Sequence, residues 1–368
     1  MMMTGFCTIF AAKNRKIMKK IMNVLLFSLV IGAMSCSTED DGLDAYVNTE
    51  RATNNVQTSG ALSNDGKNDN RRNELTNSNI EKYTDDNGEV AYIPEQFRVS
   101  EKSDERTIKT GLVIIGPDGS EYVWVPTTKT SLSQRNFGSF FSGGSSISGY
   151  EDETNLSSYQ EMVKSVARFG GFYMGRYEAS YGSGSSLSDY VPATKPVTQS
   201  QPGRIWVQFS PQNATIACEN LYRDNPSVQG FFPWGANWDT TLQWFVDSGS
   251  KTYEQVASNS TSWGNYSDDT FSPNAGGNYT GVYEETKANN IYDMAGNNWE
   301  WTQERYGTSY VMRGGGYNLM GGACPGNRYP AALRDPLPGN SNHPNVCFRV
   351  GLYVVDASGS TGITPVKM

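Results

Sequence analysis

The stretch "DMAGNNWEWT", residues 293–302, sets Asp293 and Glu300 beside Gly296, Asn297, Asn298 and two tryptophans, with neither a helical nor a strand period. Asp, Asn and Gly at this density build turns in which side chains bond the backbone. The chain has one histidine, His343 in "GNSNHPN". That argues against a multi-histidine zinc site and weakens any Ser-His-Asp arrangement. The glycine-rich "SGGSSISG" and "YGSGSS" lack the lysine and the strand–helix context of a phosphate loop. Besides Cys7 and Cys36 near the N-terminus, the cysteines are Cys218, Cys324 and Cys347. In an oxidising compartment three cysteines permit one disulfide and one free thiol, and buried unpaired thiols are the alternative. Residues 318–345 form a long irregular segment, "NLMGGACPGNRYPAALRDPLPGNSNHPN". Loops of that length inside a compact domain tend to carry function. With Tyr317 in front, it offers Asn318, Asn327, Arg328, Tyr329, Arg334, Asn340, Asn342 and His343 as candidate ligand-binding residues. Tyrosine gives rigid contact area and Asn gives adaptable hydrogen bonding. For Arg328 and Arg334 the competing expectation is an inward-facing structural ion pair.

The elements that must position these residues are short. "GLVIIGPDGSEYVWVP" (Gly111 to Pro126) places two apolar runs around Pro-Asp-Gly, a hairpin signal. "GGFYMGRYEAS" (Gly170 to Ser180) is strand-like. "LSSYQEMVKSVARF" has helical spacing, with Met162, Val163 and Val166 on one face. "SPQNATIACENLY" predicts a helix with Ser210 as N-cap and Pro211 at its first position. "NWDTTLQWFVDS" (Asn237 to Ser248) predicts another. No tandem repeat is present.

At 37% hydrophobic and 18% charged, with 38 glycines and 21 tyrosines, the 368 residues suit a loop-rich globular protein. Residues 1–35 hold five basic residues and no acidic one; without them 25 basic residues face 38 acidic ones, a net charge near −13. Such a surface repels nucleic acid. "MKKIMNVLLFSLVIGAMSC", from Met18, has the secretory pattern and is short for a membrane span. Ala33-Met34-Ser35-Cys36 resembles a bacterial lipobox, which implies lipidation at Cys36. "STEDD" after it resembles the acidic signal that sends Bacteroidota lipoproteins to the outer face of the cell. The expected organisation is a signal peptide at 1–35 (with Met18 as a candidate start), a polar tether at 36–106, a domain at 107–355 and a loose tail at 356–368. The expected location is the outer membrane, exposed at the surface.

Several fragments occur in one order: "GGFYMGRYEAS", "KPVTQ", the helix with Cys218, "PWGANWDTTLQW", "NIYDMAGNNWEWT", "VMRGGGY", "NRYPAALR" and "CFRVGLY". Together they resemble the formylglycine-generating enzyme, or sulfatase-modifying factor, family over about residues 107–355. The resemblance implies an α+β fold, a variant of the C-type lectin fold, loop-rich with short strands and two or three helices. It implies that residues 293–302 wrap a structural calcium ion, held by the Asp293 side chain, the Gly296 and Asn298 carbonyls and the Glu300 carboxylate. Calcium takes several oxygens at once, backbone carbonyls included. Trp299 and Trp301 would then pack into the core. It also implies a bridge from the central helix to the last strand, Cys218 to Cys347, although Cys347 precedes "FRV" where the family's cysteine follows "FR"; Cys324–Cys347 competes.

The family's oxidases bind Cu(I) through two cysteines five residues apart, a little after the "RGG" motif, and soft sulfur ligands suit that ion. Here Cys324 falls at the second position and Leu319 at the first, where no ligand is possible. Copper is therefore not expected. The leading expectation is a non-catalytic binding or display module for a protein or glycan, on the face that carries the ligand in C-type-lectin-like folds. The alternatives are a copper-dependent oxidase with an altered site and a structural envelope or secretion-machinery lipoprotein.

Overall fold

The aromatic run "EYVWVP" alternates between two cores, and that alternation organises the molecule. It lies in a computed structural model that describes residues 80–356, apart from 133, 135–136, 138–147, 182–194, 201–204, 270–276, 278, 323–328 and 340–342. The chain enters through a hairpin of β1 (Glu81–Thr84) and β2 (Val90–Ile93), then β3 (Arg98–Val99). It continues through β4 (Val113–Ile115), β5 (Glu121–Pro126), α1 (Lys129–Leu132), β6 (Tyr150–Glu151), α2 (Ser157–Phe169) and β7 (Gly171–Gly175). Next come α3 (Pro211–Glu219), β8 (Val228–Phe231), α4 (Gly235–Asp247) and α5 (Tyr253–Ala257). The C-terminal part holds β9 (Lys287–Ala288), β10 (Ile291–Tyr292), β11 (Trp299–Tyr306), β12 (Ser309–Arg313), β13 (Arg334–Leu337), β14 (Val346–Cys347) and β15 (Gly351–Val354).

Two sheets carry the fold. One is antiparallel in the order β3-β4-β5-β7-β15-β8, so the last strand closes between β7 and β8. The other runs β13-β12-β11-β14, with β6 also on β11 and a parallel β11–β14 pair. Side chains along a strand point to opposite faces. Tyr122 and Trp124 of β5 therefore join one core, with Tyr173, Phe348 and Trp299. Val123 and Val125 join the other, with Phe172, Met174, Trp234 and Trp238. Both faces are covered, which is why β5 reads as an unbroken apolar run.

The three helices expected from sequence form. Helix α2 buries Tyr159, Met162, Val166 and Phe169 at helical spacing, and Gly170 ends it at φ +80°. Helix α3 starts as its caps predict: Ser210 Oγ accepts from the Asn213 N–H at 3.2 Å, with Pro211 following. Helix α4 is buried on almost every side. The Gly235 and Ala236 N–H groups at its start both donate to the Asp152 carboxylate at 2.9 Å, an anion at the positive helix end.

The ordered region begins earlier than expected. Residues 81–99 form β1 to β3 and contribute Ala91, Ile93 and Phe97 to the core, so the tether does not extend to residue 106. The local signal was there in "VAYIPEQF", but the polar composition around it masked it. Residues 1–79 and 357–368, with Cys36, lie outside the described residues. Among the described residues no helix is long and apolar enough to cross a membrane.

Candidate functional site

The turn at residues 293–297 is built from residues that tolerate left-handed backbone. Asp293 (φ +59°), Gly296 (φ +71°) and Asn297 (φ +58°) all adopt it. At Gly296 a Cβ would lie 2.2 Å from the Asn265 carbonyl oxygen, so only glycine fits. Backbone bonds from Gly296 N to Gly314 O and from Asn297 N to Asn265 O, both 2.8 Å, tie the turn to its neighbours. Asn265 Nδ2 donates to Asn297 Oδ1 at 2.9 Å, and Asn298 Nδ2 donates to Gly277 O at 2.6 Å.

The carboxylates here are satisfied from within the protein. Asp293 Oδ2 accepts from the Thr280 hydroxyl at 2.8 Å and the Gly281 N–H at 2.7 Å. Both Glu300 oxygens accept from Arg349, Oε1 from Nη2 at 2.6 Å and Oε2 from Nε at 3.0 Å. Arg349 also donates to Gly175 O and Tyr292 O, both at 2.9 Å. A third carboxyl, Glu178, is wholly buried and accepts from the Asn298 N–H at 3.1 Å and from Asn297 Nδ2. Burial, followed by the Asp293 and Glu300 charges, holds Glu178 well above the ordinary carboxyl range. Burial also raises Asp293 and Glu300.

The calcium set of Asp293, Gly296, Asn298 and Glu300 does not fit this geometry. Arg349 already donates to both Glu300 oxygens, so that carboxylate is neutralised by a guanidinium. Among the described residues no group of three or more His, Cys, Asp or Glu side chains could hold a metal. The turn is held by a guanidinium, two asparagines and backbone N–H groups.

Trp299 organises the face around the C-terminal segment. It is 6% exposed, and Trp301 is 1% exposed, so both pack inward. The Tyr329 ring meets Trp299 edge-on, with centroids 6.0 Å apart and planes at 89°. Gly316 lies against the Trp299 ring and beside Asn318 Oδ1. The Trp299 N–H donates to Asn345 O at 3.0 Å, and Val346 pairs with Trp299 in the β11–β14 ladder. One tryptophan thus fixes three stretches of the segment. Tyr317 is half-buried, Asn318 and His343 are exposed, and His343 Nδ1 accepts from the Asn345 N–H at 3.3 Å. Asn327, Arg328, Asn340, Asn342 and Cys324 lie outside the described residues.

Arg334 is not on this face. It is fully buried and closes a four-charge ring with Arg313, Asp239 and Glu304. Asp239 and Glu304 each give one oxygen to each arginine. Burial pulls the Arg334 guanidinium down, yet Asp239 and Glu304 outweigh it and leave it above its ordinary value. The inward ion-pair expectation holds for Arg334, and the ligand-binding one does not. Its strand neighbour Asp335, absent from the sequence candidates, faces the opposite side. Burial raises its carboxyl from 3.8 to about 6, and its charge acts on Tyr329. Only β13 pairing with β12 brings it there.

The expected Cys218–Cys347 bridge does not form. Cys218 and Cys347 are both free and buried. The Cys347 thiol donates to Glu178 Oε1 at 3.5 Å, while Cys218 lies in the first core where α3 meets β8. Burial pushes both thiols well up, with Glu178 and Glu300 adding to the effect at Cys347. Leu319, where the family resemblance would put the first copper ligand, is partly buried against the core. Its carbonyl accepts from Ser267 N and Ser267 Oγ, each at 2.8 Å.

Residues 226–353 match the family model of the Sulfatase-modifying factor enzyme 1-like domain. A search of curated proteins finds no match. Solved structures with detectable likeness include Treponema denticola variable protein 1, at 13% identity and TM-score 0.34, covering 50% of this chain and 84% of that one. PvdO from Pseudomonas aeruginosa shows 15% identity and TM-score 0.39, over 66% and 97%. CarF shows 16% and 0.35, over 51% and 88%. At these scores the likenesses support no functional transfer. The matched range contains the 293–302 turn, Trp299 and the segment after Arg313. Its short strands, few helices and long loops are those of the formylglycine-generating-enzyme variant of the C-type lectin fold, as expected. The likeness to the sulfatase-modifying factor enzyme 1-like domain therefore spans residues 226–353.

Proposed function

We propose that this domain is a non-catalytic binding or display module, which presents the face around Tyr317, Asn318, Tyr329 and His343 to a protein or glycan ligand. The observation that carries this is Leu319. It stands where the family's copper chemistry needs a thiolate, and nearby Tyr329 instead packs edge-on against Trp299. An aromatic and amide surface fixed by a buried tryptophan loses little conformational entropy on binding. Two further parts of the reading come from the sequence: lipidation at Cys36, and a surface-exposed position on the outer membrane.

The test is a binding screen of the purified chain against cell-surface proteins and glycans, with Tyr317→Ala and Tyr329→Ala variants alongside. A ligand whose affinity drops about tenfold in either variant supports the module. Copper-dependent oxygen consumption with a cysteine peptide would replace it with the oxidase reading. For the anchor, alkyne-fatty-acid labelling in a bacterial host should mark the full chain and be lost in Cys36→Ser.

A further inference from the structure

A second recessed site lies away from the aromatic face. Thr252, Glu254, Gln255, Asn259, Thr261 and Ser262 line a cavity of about 270 Å³ at α5 and the loop after it. Every lining side chain is a hydroxyl, a carboxamide or a carboxylate. Among the described residues no lysine, arginine, histidine or large apolar side chain lines it. The volume is just below the ~300 Å³ where small-molecule clefts begin, room for one compact ring.

The walls are fixed before any ligand arrives. Thr252 and Gln255 cap each other, with Thr252 N donating to Gln255 Oε1 at 2.8 Å and Gln255 N to Thr252 Oγ1 at 3.2 Å. Gln255 Nε2 reaches Ser262 Oγ at 3.3 Å, and Asn259 Oδ1 accepts from the Thr261 N–H at 3.1 Å. Beneath them, Trp263 is 1% exposed and donates from Nε1 to Gln255 O at 3.0 Å. Ser260 locks the loop to the rest of the fold: its N–H donates to Gly321 O, its hydroxyl donates to Gln255 O, and its Oγ accepts from the Ala331 N–H. Within this frame the Glu254 carboxylate and the Asn259 Nδ2 group make no side-chain hydrogen bond among the described residues. Tyr253, next along the chain, stacks on Phe137 at 5.5 Å and stays 53% exposed.

This lining selects by chemistry. Glu254 repels an anion, and no described lining residue would compensate one. A single carboxylate is too few for a divalent cation, which takes six or more oxygens. An apolar ligand would strand the lining's donors and acceptors. What fits is a neutral molecule whose own hydroxyls both donate and accept. We infer that this cavity is a subsite for one neutral sugar unit, a hexose or N-acetylhexosamine, with Glu254 accepting from a sugar hydroxyl and Asn259 donating to one. This goes beyond the proposed binding face and does not depend on it.

The experiment is saturation-transfer NMR of the full chain with the methyl glycosides of glucose, galactose, mannose and N-acetylglucosamine. At least one should give a signal. Its affinity should fall about tenfold in Glu254→Ala, the loss of one charge-assisted hydrogen bond, and disappear in Ser262→Phe, which fills the cavity. Both positions are exposed, so unchanged melting midpoints check the fold. Tyr317→Ala should leave the signal intact. No signal from any glycoside overturns the subsite. So does a signal that survives both cavity variants, and if Tyr317→Ala alone removes it, the sugar belongs to the aromatic face and the module reading stands by itself.

Discussion

Replacing Arg334 with methionine removes one guanidinium from a closed ring and leaves the rest of the ring buried. Arg334 donates from Nε to Glu304 Oε1 at 2.8 Å, from Nη2 to Asp239, and from Nη1 to Phe137 O. Arg313 holds the other oxygen of each carboxylate, at 3.1 Å for Glu304 and 2.6 Å for Asp239. All four side chains are at 0% exposure, so no water can replace the lost partner. The intact ring is neutral; the variant ring carries two carboxylates against one cation. Breaking a buried pair from one side costs ~3–5 kcal/mol. For a domain of this size that is a fall of roughly 6–10 °C in melting midpoint. Adding Asp239→Asn restores neutrality, leaving Arg313 with Glu304. The double variant should therefore be less destabilised than the sum of the two singles, by about 1 kcal/mol or more. Thermal and urea denaturation of wild type, both singles and the double close the cycle. A loss under about 1 kcal/mol for Arg334→Met, or strict additivity, would refute the closed ring.

Three further outcomes follow from the site. The Asp335 carboxyl, raised by burial to about 6, loses stability as it ionises between pH 4 and pH 6. Asp335→Asn should thus gain about 1–2 kcal/mol over wild type at pH 7 and little at pH 4, read by urea denaturation; an equal gain at both would sink the assignment. Because Arg349 holds Glu300, neither millimolar calcium nor EDTA should move the melting midpoint, whereas a calcium-dependent rise would mean that a cation displaces the guanidinium. Cys218 and Cys347 should resist iodoacetamide in the native protein and react once it is unfolded, and a bridged Cys218–Cys347 peptide in mass spectrometry would contradict the free thiols.

Beyond β1 to β3, the chain's local signals were sufficient for much of its local structure. Helices α2 and α3 could be read because periodicity and caps act within a few residues, and the β4–β5 hairpin because Pro-Asp-Gly sits between two apolar runs. The likeness to the family and its fold was legible in "DMAGNNWEWT", "RGG" and "FRV". The partners of the charged residues were not. Glu300 finds Arg349 across 49 residues, Arg334 finds Asp239 across 95, and Cys347 finds Glu178 across 169. A carboxylate in a turn reads the same whether calcium or a guanidinium will neutralise it, and an arginine in a loop-like stretch reads as exposed until a strand pairs and turns it inward. Sequence alone determined which residues make turns, caps and apolar faces, since those follow from bonding and sterics along the chain. Tertiary structure alone decided which charges meet, because a buried charge is set by whatever distant group the packing brings to it.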